Sequence, residues 1–312
     1  MQSSDDILCI FYMLQIIIGV FGNVLLLCLY AFNLISSQRI RPIDVIFVNL
    51  ALSHIVMILF RGIPVAIQVC IQKIFLSDIE CKIIVYLQRV SRGLSLCTTC
   101  LLSVFQAITI IPSSPKWVKV KAKVPQCLIP SCAFMWVFNL LTDLVVPMHV
   151  TGPRNDTVSN LNRNPGFCFM DWKGMSASKL VIWKSLHDAV FLGLMAISSG
   201  YVMHVLFRHH WQVQHLHNTS LNPIASPETR ATKVILLLTI FFVCCYSGAS
   251  IIIIIVENSK EIERWVTYMS IFLTSSYSTI CPFVLISSDS QILSFCNVFK
   301  RRKNSYPNLL VS

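Results

Sequence analysis

Residues Thr99 to Trp117 read TCLLSVFQAITIIPSSPKW. No residue of that string before Lys116 is charged, two prolines (Pro112 and Pro115) interrupt it, and beyond Trp117 a lysine stands at every second position, Lys119, Lys121 and Lys123. Such a stretch ends either a buried helix of a soluble domain or a helix leaving a membrane. Composition decides between them. Hydrophobic residues are 55% of the 312 and charged residues 12%, whereas soluble domains carry roughly 25% charged residues. With a mean hydropathy of +0.68, no water-soluble fold of this length could hide so much apolar surface.

A membrane-length window finds seven apolar stretches, at about 7–32, 44–71, 80–111, 125–148, 179–207, 230–257 and 264–288, each long enough to cross a bilayer as a helix. The sequence therefore predicts an all-α membrane protein. Its seven-transmembrane bundle occupies residues 1–288 and a cytoplasmic tail occupies 289–312. The leading MQSSDD has no positive region, and the run from Ile7 is too long for a cleaved signal. The first span is expected to be retained.

Charge sets the orientation. With the amino terminus outside, the inner connections hold thirteen bases, including Arg39, Arg41, Lys116, Arg208, Lys233 and the Lys300–Lys303 cluster, against the acids Asp44, Glu228 and Asp289. The outer connections hold nine bases, Lys184 counted among them, and nine acids. Positive residues collect on the cytoplasmic side of membrane proteins, so the amino terminus is predicted outside and the carboxyl terminus in the cytosol. The basic balance is then that of a cytoplasmic membrane face meeting anionic lipid. It calls for no nucleic acid.

Most of the 13 cysteines lie inside the spans, where a thiol acts as a small apolar group. The pair Cys97 and Cys100 has metal-site spacing but no second ligand pair, so no metal is expected. Cys81, at the outer start of the third span, and Cys168, in the long fourth-to-fifth connection, face an oxidising compartment and are expected to pair. Cys9 and Cys70 are also near the outer surface and keep other pairings open. The same outer connection carries the sequon Asn155-Asp156-Thr157, a glycosylation site; a second, Asn218-Thr219-Ser220, falls in a cytoplasmic connection.

Ionisable groups at membrane depth are costly and call for an account. The spans contain Arg61, Arg89, Arg92, Asp143 and Asp188. At about 1.5 Å per residue, Arg89 and Arg92 lie about 12 and 17 Å below Cys81, Asp188 about 14 Å below Lys179, and Arg61 about 15 Å below Ile71. All fall in the outer half. Gln88 and Arg92 share one helical stripe, which suits either a ligand wall or ion pairing of Arg92 with Asp188; Arg89 is free to snorkel to the surface. His54 and Asn23 are expected to hydrogen-bond across the first two helices. The string HHWQVQHLH at 209–217 reads as an amphipathic extension of the fifth helix, and residues after Asp289 as a short amphipathic helix on the inner leaflet with Cys296 a candidate for palmitoylation.

Seven helices with an outer cysteine strap resemble a G-protein-coupled receptor, and Gly22-Asn23, Leu50-Ala51, Trp136 and Pro282 are matching landmarks. The usual rhodopsin-class switches are replaced: Phe105-Gln106-Ala107 stands where the acidic-Arg-aromatic triplet ends the third helix, His54 where the second helix has aspartate, and Cys281-Pro282-Phe283-Val284-Leu285 where the seventh has Asn-Pro-x-x-Tyr. The opening stretch itself resembles the third-helix exit of vomeronasal type-1 receptors. RGIP at 61–64, FNLLTDLVVPMHVTGP, SSGYVMHVLFRHHWQVQHLH, SPETRAT and CPFVLI match the same family, over nearly the whole chain.

That resemblance implies a pheromone or odorant receptor of the plasma membrane, coupled to a heterotrimeric G protein of the inhibitory class and activated by a small organic ligand entering from outside. No cofactor is implied. Depth and polarity select Gln88, Arg92, His187 and Asp188 for the ligand cavity and Gln106, Arg208, Arg230 and Lys233 for the G-protein face. A bitter-taste-type receptor is the nearest alternative, opposed by the Cys81 and Cys168 pair. A transporter or channel would show repeat symmetry or helices broken at the midplane, and an enzyme an assembled catalytic set; neither is present in the sequence. In cells, Asn155 should carry glycan and Asn218 none, read as the gel shift lost on glycosidase treatment of Asn155→Gln; glycan at Asn218 would invert the topology.

Overall fold

A computed structural model describes residues 2–37, 41–71, 76–111, 114–152, 168–170, 175–216, 227–258 and 264–289. They fold as seven membrane-length helical segments. In order these are α1 (Gln2–Ser37), then α2 (Pro42–Met57) continuing into α3 (Ile63–Ile71), α4 (Asp78–Ile110), α5 (Pro115–Thr142), α6 (Met175–Leu216), α7 (Pro227–Asn258) and α8 (Arg264–Ser288). Lipid offers the backbone no hydrogen bonds, so each crossing segment must satisfy its own amides, and a helix does so internally.

Between α2 and α3 the chain winds more widely, as a π-helical turn at Ile58–Gly62. Pro64 follows it. A proline has no N–H for the carbonyl one turn earlier and its ring crowds that carbonyl, and a local change of winding accommodates both. Helix α4 starts from a reciprocal cap: Ser77 N–H donates to Glu80 (2.8 Å) while Glu80 N–H donates to Ser77 Oγ (3.3 Å).

The opening stretch is the end of α4 and the start of α5. The sequence places the span from about 125, but α5 is already helical from Pro115, a residue suited to a first helical turn. Lys119, Lys121 and Lys123 therefore sit on a helix. Lys121 Nζ donates to the carbonyls of Thr109 (2.9 Å) and Ile111 (2.7 Å), neutralising the negative end of α4.

Helix α4 is the central element, contacting α2, α5, α6 and α7. Of its most apolar window 61% is buried, against 17% for that of α6, so α6 lies at the rim. One core joins Leu50 and Ala51 of α2, Leu96 and Leu102 of α4, Phe242 and Tyr246 of α7 and Tyr277 of α8. Polar bonds cross it: Asn49 donates to Thr98 Oγ1 (2.8 Å), Trp136 Nε1 donates to Asn49 (2.5 Å), and the Thr99 and Tyr277 hydroxyls meet at 3.1 Å. Asn23 and His54 do not bond each other. Asn23 donates to the Ser278 carbonyl on α8 (2.9 Å), and His54 Nε2 meets Ser95 Oγ on α4 (3.1 Å). The two side chains face different neighbours.

At the inner ends, Arg41 bridges Asp44 (2.8 Å) and Asp289 (2.5 Å), and Tyr30 donates to Asp289 (3.1 Å), tying α1, α2 and α8. Burial disfavours the Arg41 charge, but its hydrogen bonds to Asp289 and Asp44 outweigh that and hold the guanidinium more firmly protonated than usual. At the outer ends two disulfides close the bundle. Cys81 bonds Cys168, and Cys9 bonds Cys70, joining α1 to α3. A two-residue antiparallel pair, β1 (Val150–Thr151) and β2 (Phe169–Met170), lies beside the first of these bonds with Val150 opposite Met170; no alternation in the chain marks it beforehand. Asn155, Asn218, Cys296 and the amphipathic helix expected after the seventh span lie outside the described residues.

Unreduced proteolysis of the purified protein should give two cross-linked peptide pairs, Cys9 with Cys70 and Cys81 with Cys168. Alkylatable Cys9 and Cys70 in the folded protein would contradict the second strap.

Candidate functional site

The outer half of the bundle gathers charged side chains from α4, α6 and the end of α5, and a tyrosine from α7. Asp143, one residue beyond the last turn of α5 and 1% exposed at its side chain, accepts from Arg89 of α4 (3.2 Å) and Lys184 of α6 (2.9 Å). One carboxylate thus ties the third, fourth and fifth spans. Arg89 does not snorkel. Lys184, counted on the outer surface from sequence, reaches inward.

Deeper, Arg92 of α4 donates through Nε to the Tyr246 hydroxyl of α7 (3.1 Å) and lies 3.5 Å from Asp188 of α6. The Tyr246 hydroxyl in turn donates to Asp188. The guanidinium carbon is 4.7 Å from the Tyr246 ring centre, within cation–π range. His187 is buried, with Nδ1 3.2 Å from Asp188 Oδ1; Nδ1 must carry the hydrogen for that contact to be a bond. Its ring lies between Phe138 (5.6 Å) and Phe191 (4.7 Å). The structure thus brings Arg92, His187 and Asp188 into one network, with Gln88 half-buried one turn outward from Arg92 on α4.

Two members of this cluster escape sequence reading. Tyr246, in an apolar stretch of its helix, looks like core until its hydroxyl is seen between Arg92 and Asp188. Lys184 leaves a weak signal, since it stands four residues before Asp188 inside the predicted fifth span and so on the same helical face.

The inner candidates are not assembled. Gln106 is buried and its Nε2 has no hydrogen-bond partner, whereas Arg208 and Lys233 are exposed. Arg230 lies on α7, its side chain outside those described. A cavity of about 600 Å³ opens between α1, α2 and α5, where Leu27, Leu52, Ile129 and Trp136 line it. It contains none of the residues chosen for ligand or G protein.

The family described as "Vomeronasal organ pheromone receptor family" matches residues 6–298. The chain belongs to the vomeronasal type-1 receptor family. It is 36% identical over 301 residues to vomeronasal type-1 receptor 1 of Gorilla gorilla gorilla, covering 96% of this chain and 85% of that one. It is 35% identical over the same length and coverage to vomeronasal type-1 receptor 1 of Homo sapiens. Olfactory receptor class A-like protein 1 of Danio rerio is 33% identical over 283 residues, 90% of this chain and 89% of that one. Squid rhodopsin superposes with a TM-score of 0.69 at 14% identity, over 92% of this chain and 79% of that structure, which shows a shared fold. This vomeronasal type-1 family member is a seven-span receptor of G-protein-coupled architecture and a multi-pass plasma-membrane protein.

Removing one partner of a buried ion pair costs about 3–5 kcal/mol. Asp143→Ala strands both Arg89 and Lys184 and should lower the melting temperature and surface delivery sharply, with partial recovery on adding Lys184→Met. An Asp143→Ala protein melting like the wild type would contradict the shared-anchor geometry.

Proposed function

We propose that the protein is a pheromone- or odorant-sensing receptor whose small organic ligand binds among Gln88, Arg92, His187 and Asp188 and whose inner face activates an inhibitory-class G protein. The observation that carries this reading is the Arg92–Tyr246–Asp188 network. It joins α4, α6 and α7, the third, fifth and sixth spans, at one point in the outer half. A ligand that binds this point better in one helix arrangement shifts the population towards it by its differential affinity and no more. Tyr246 is the link to α7, so a change of its partners is felt by a helix whose inner end must move for a G protein to enter.

Gln106, Arg208, Arg230 and Lys233 are the residues proposed to meet the G protein. Gln106 stands where the family's distant rhodopsin-class relatives carry the arginine of the triplet, and its unpartnered Nε2 is a donor available to an inserted helix. Cys81–Cys168 straps the outer connection beside the entrance, Asn155 is proposed to carry glycan, and Cys296 to be acylated against the inner leaflet.

In cells expressing the full-length chain, an agonist found by screening odorants should activate an inhibitory-class G protein in a pertussis-toxin-sensitive way. Arg92→Ala and Asp188→Ala should each lower its potency at least about tenfold, the worth of one charge-assisted hydrogen bond, in cells matched for surface receptor. Unchanged potency in both would remove the assignment.

A further inference from the structure

Gly93 stands on α4 beside Arg92 and four residues after Arg89, where α5 and α6 both reach α4. A Cβ placed on it would lie 2.0 Å from Asn139 Oδ1 of α5 and 3.2 Å from Lys184 Nζ of α6, whereas ordinary contact begins at 3.4 Å. Two neighbouring side chains thus occupy the space that a side chain on α4 would fill. Neither has slack. Asn139 is 0% exposed, and its Nδ2 donates to the Met135 carbonyl (2.8 Å) and to Cys97 Sγ (3.7 Å); Lys184 donates to Asp143 (2.9 Å). Asn139 Oδ1 has no hydrogen-bond partner among the described residues, so its place against α4 is a matter of fit.

The bay at Gly93 is one turn away from every ion pair of the outer cluster. Asn139 precedes Asp143 by four residues, Lys184 precedes Asp188 by four, and Gly93 follows Arg89 by four, so each shares a helical face with a charged member. The ion pairs of those members run from 2.9 to 3.5 Å. An obstruction of over an ångström at the bay would carry them past hydrogen-bonding range. Other glycines carry no such demand: a Cβ at Gly193 or Gly200 of α6, or at Gly248 of α7, would meet nothing within 4 Å.

We propose that Gly93 is the positioning residue of the outer cluster: the bay left by its missing side chain sets α5 and α6 against α4, and the receptor's response depends on that bay staying free of a side chain. This rests on the reading of the cluster as the ligand site and adds to it a residue that makes none of its contacts. Helix propensity and packing give opposite signs here. In a helix interior alanine is favoured over glycine, whereas a methyl group forced into an occupied bay is overpacking.

Two arms test it on the full-length receptor. In the first, the purified protein is melted: Gly193→Ala, Gly200→Ala and Gly248→Ala should melt at or above the wild type, and Gly93→Ala at least about 3 °C below it. Adding Asn139→Ala, which takes Oδ1 out of the bay, should return most of that loss and make the two substitutions strongly non-additive. In the second, cells matched for surface receptor are exposed to a fixed panel of odorants in a G-protein assay. The most potent member should lose at least about tenfold in potency on Gly93→Ala, as for one lost hydrogen bond to a charged group, and regain it in the double variant, while Gly200→Ala leaves it unchanged. A Gly93→Ala protein that melts at or above the wild type, or whose loss Asn139→Ala leaves untouched, overturns the proposal. Unchanged potency in Gly93→Ala overturns the positioning role even where the melting loss is found. A panel that leaves the wild type silent removes the receptor reading, and the melting arm still decides the bay.

Discussion

In hydrocarbon a polar side chain has no partner except another helix, and that constraint decides which face each span of this chain turns inward. Asn49 bonds Thr98 and receives Trp136, drawing three spans together at one residue. Asp143 does the same with Arg89 and Lys184 in the outer half. Apolar packing alone cannot orient such helices, because lipid tails are as apolar as Leu or Ile; packing detail and interhelical hydrogen bonds do. Helix α4 contributes to both junctions, through Thr98 and Arg89, and is the most enclosed of the spans.

The same constraint explains how the bundle holds together without the usual rhodopsin-class switches. The arginine that ends the third helix in those proteins is absent, and Gln106 in its place is neutral. The ionic tie at the inner surface is instead Arg41, set between Asp44 and Asp289 with Tyr30 behind it. Among the described residues it joins the first, second and seventh spans and leaves the third and sixth without an ionic lock there. The charged network that does join the third, fifth and sixth lies in the outer half, on Arg92, Asp188 and Tyr246. The third, fifth and sixth spans are therefore coupled at the outer end.

Much of this is legible in the sequence. Seven crossings follow from hydropathy, because a span needs only length and apolarity. The outer placement of Arg92 and Asp188 follows from counting residues, and so does their candidacy as a pair. Which way a side chain faces does not follow. Asn23 and His54 lie at compatible depths yet turn to α8 and α4, and nothing in a continuous apolar run marks the inward stripe. Lys184 reads as a surface residue because charge near a span end is normally solvated. Cys9 with Cys70 needs the approach of α1 to α3, a tertiary fact. The π-helical turn that carries Arg61 is signalled only by Pro64, which by itself is equally consistent with a simple kink.

The proposed ligand site and G-protein face both require a chain that crosses the membrane seven times, with its charged cluster towards the exterior and its basic flank in the cytosol. Epitope tags placed one at each end of the full-length chain test that directly in cells. The amino-terminal tag should stain on intact cells and the carboxyl-terminal tag only after permeabilisation; staining of the carboxyl-terminal tag on intact cells would contradict the threading on which both faces depend.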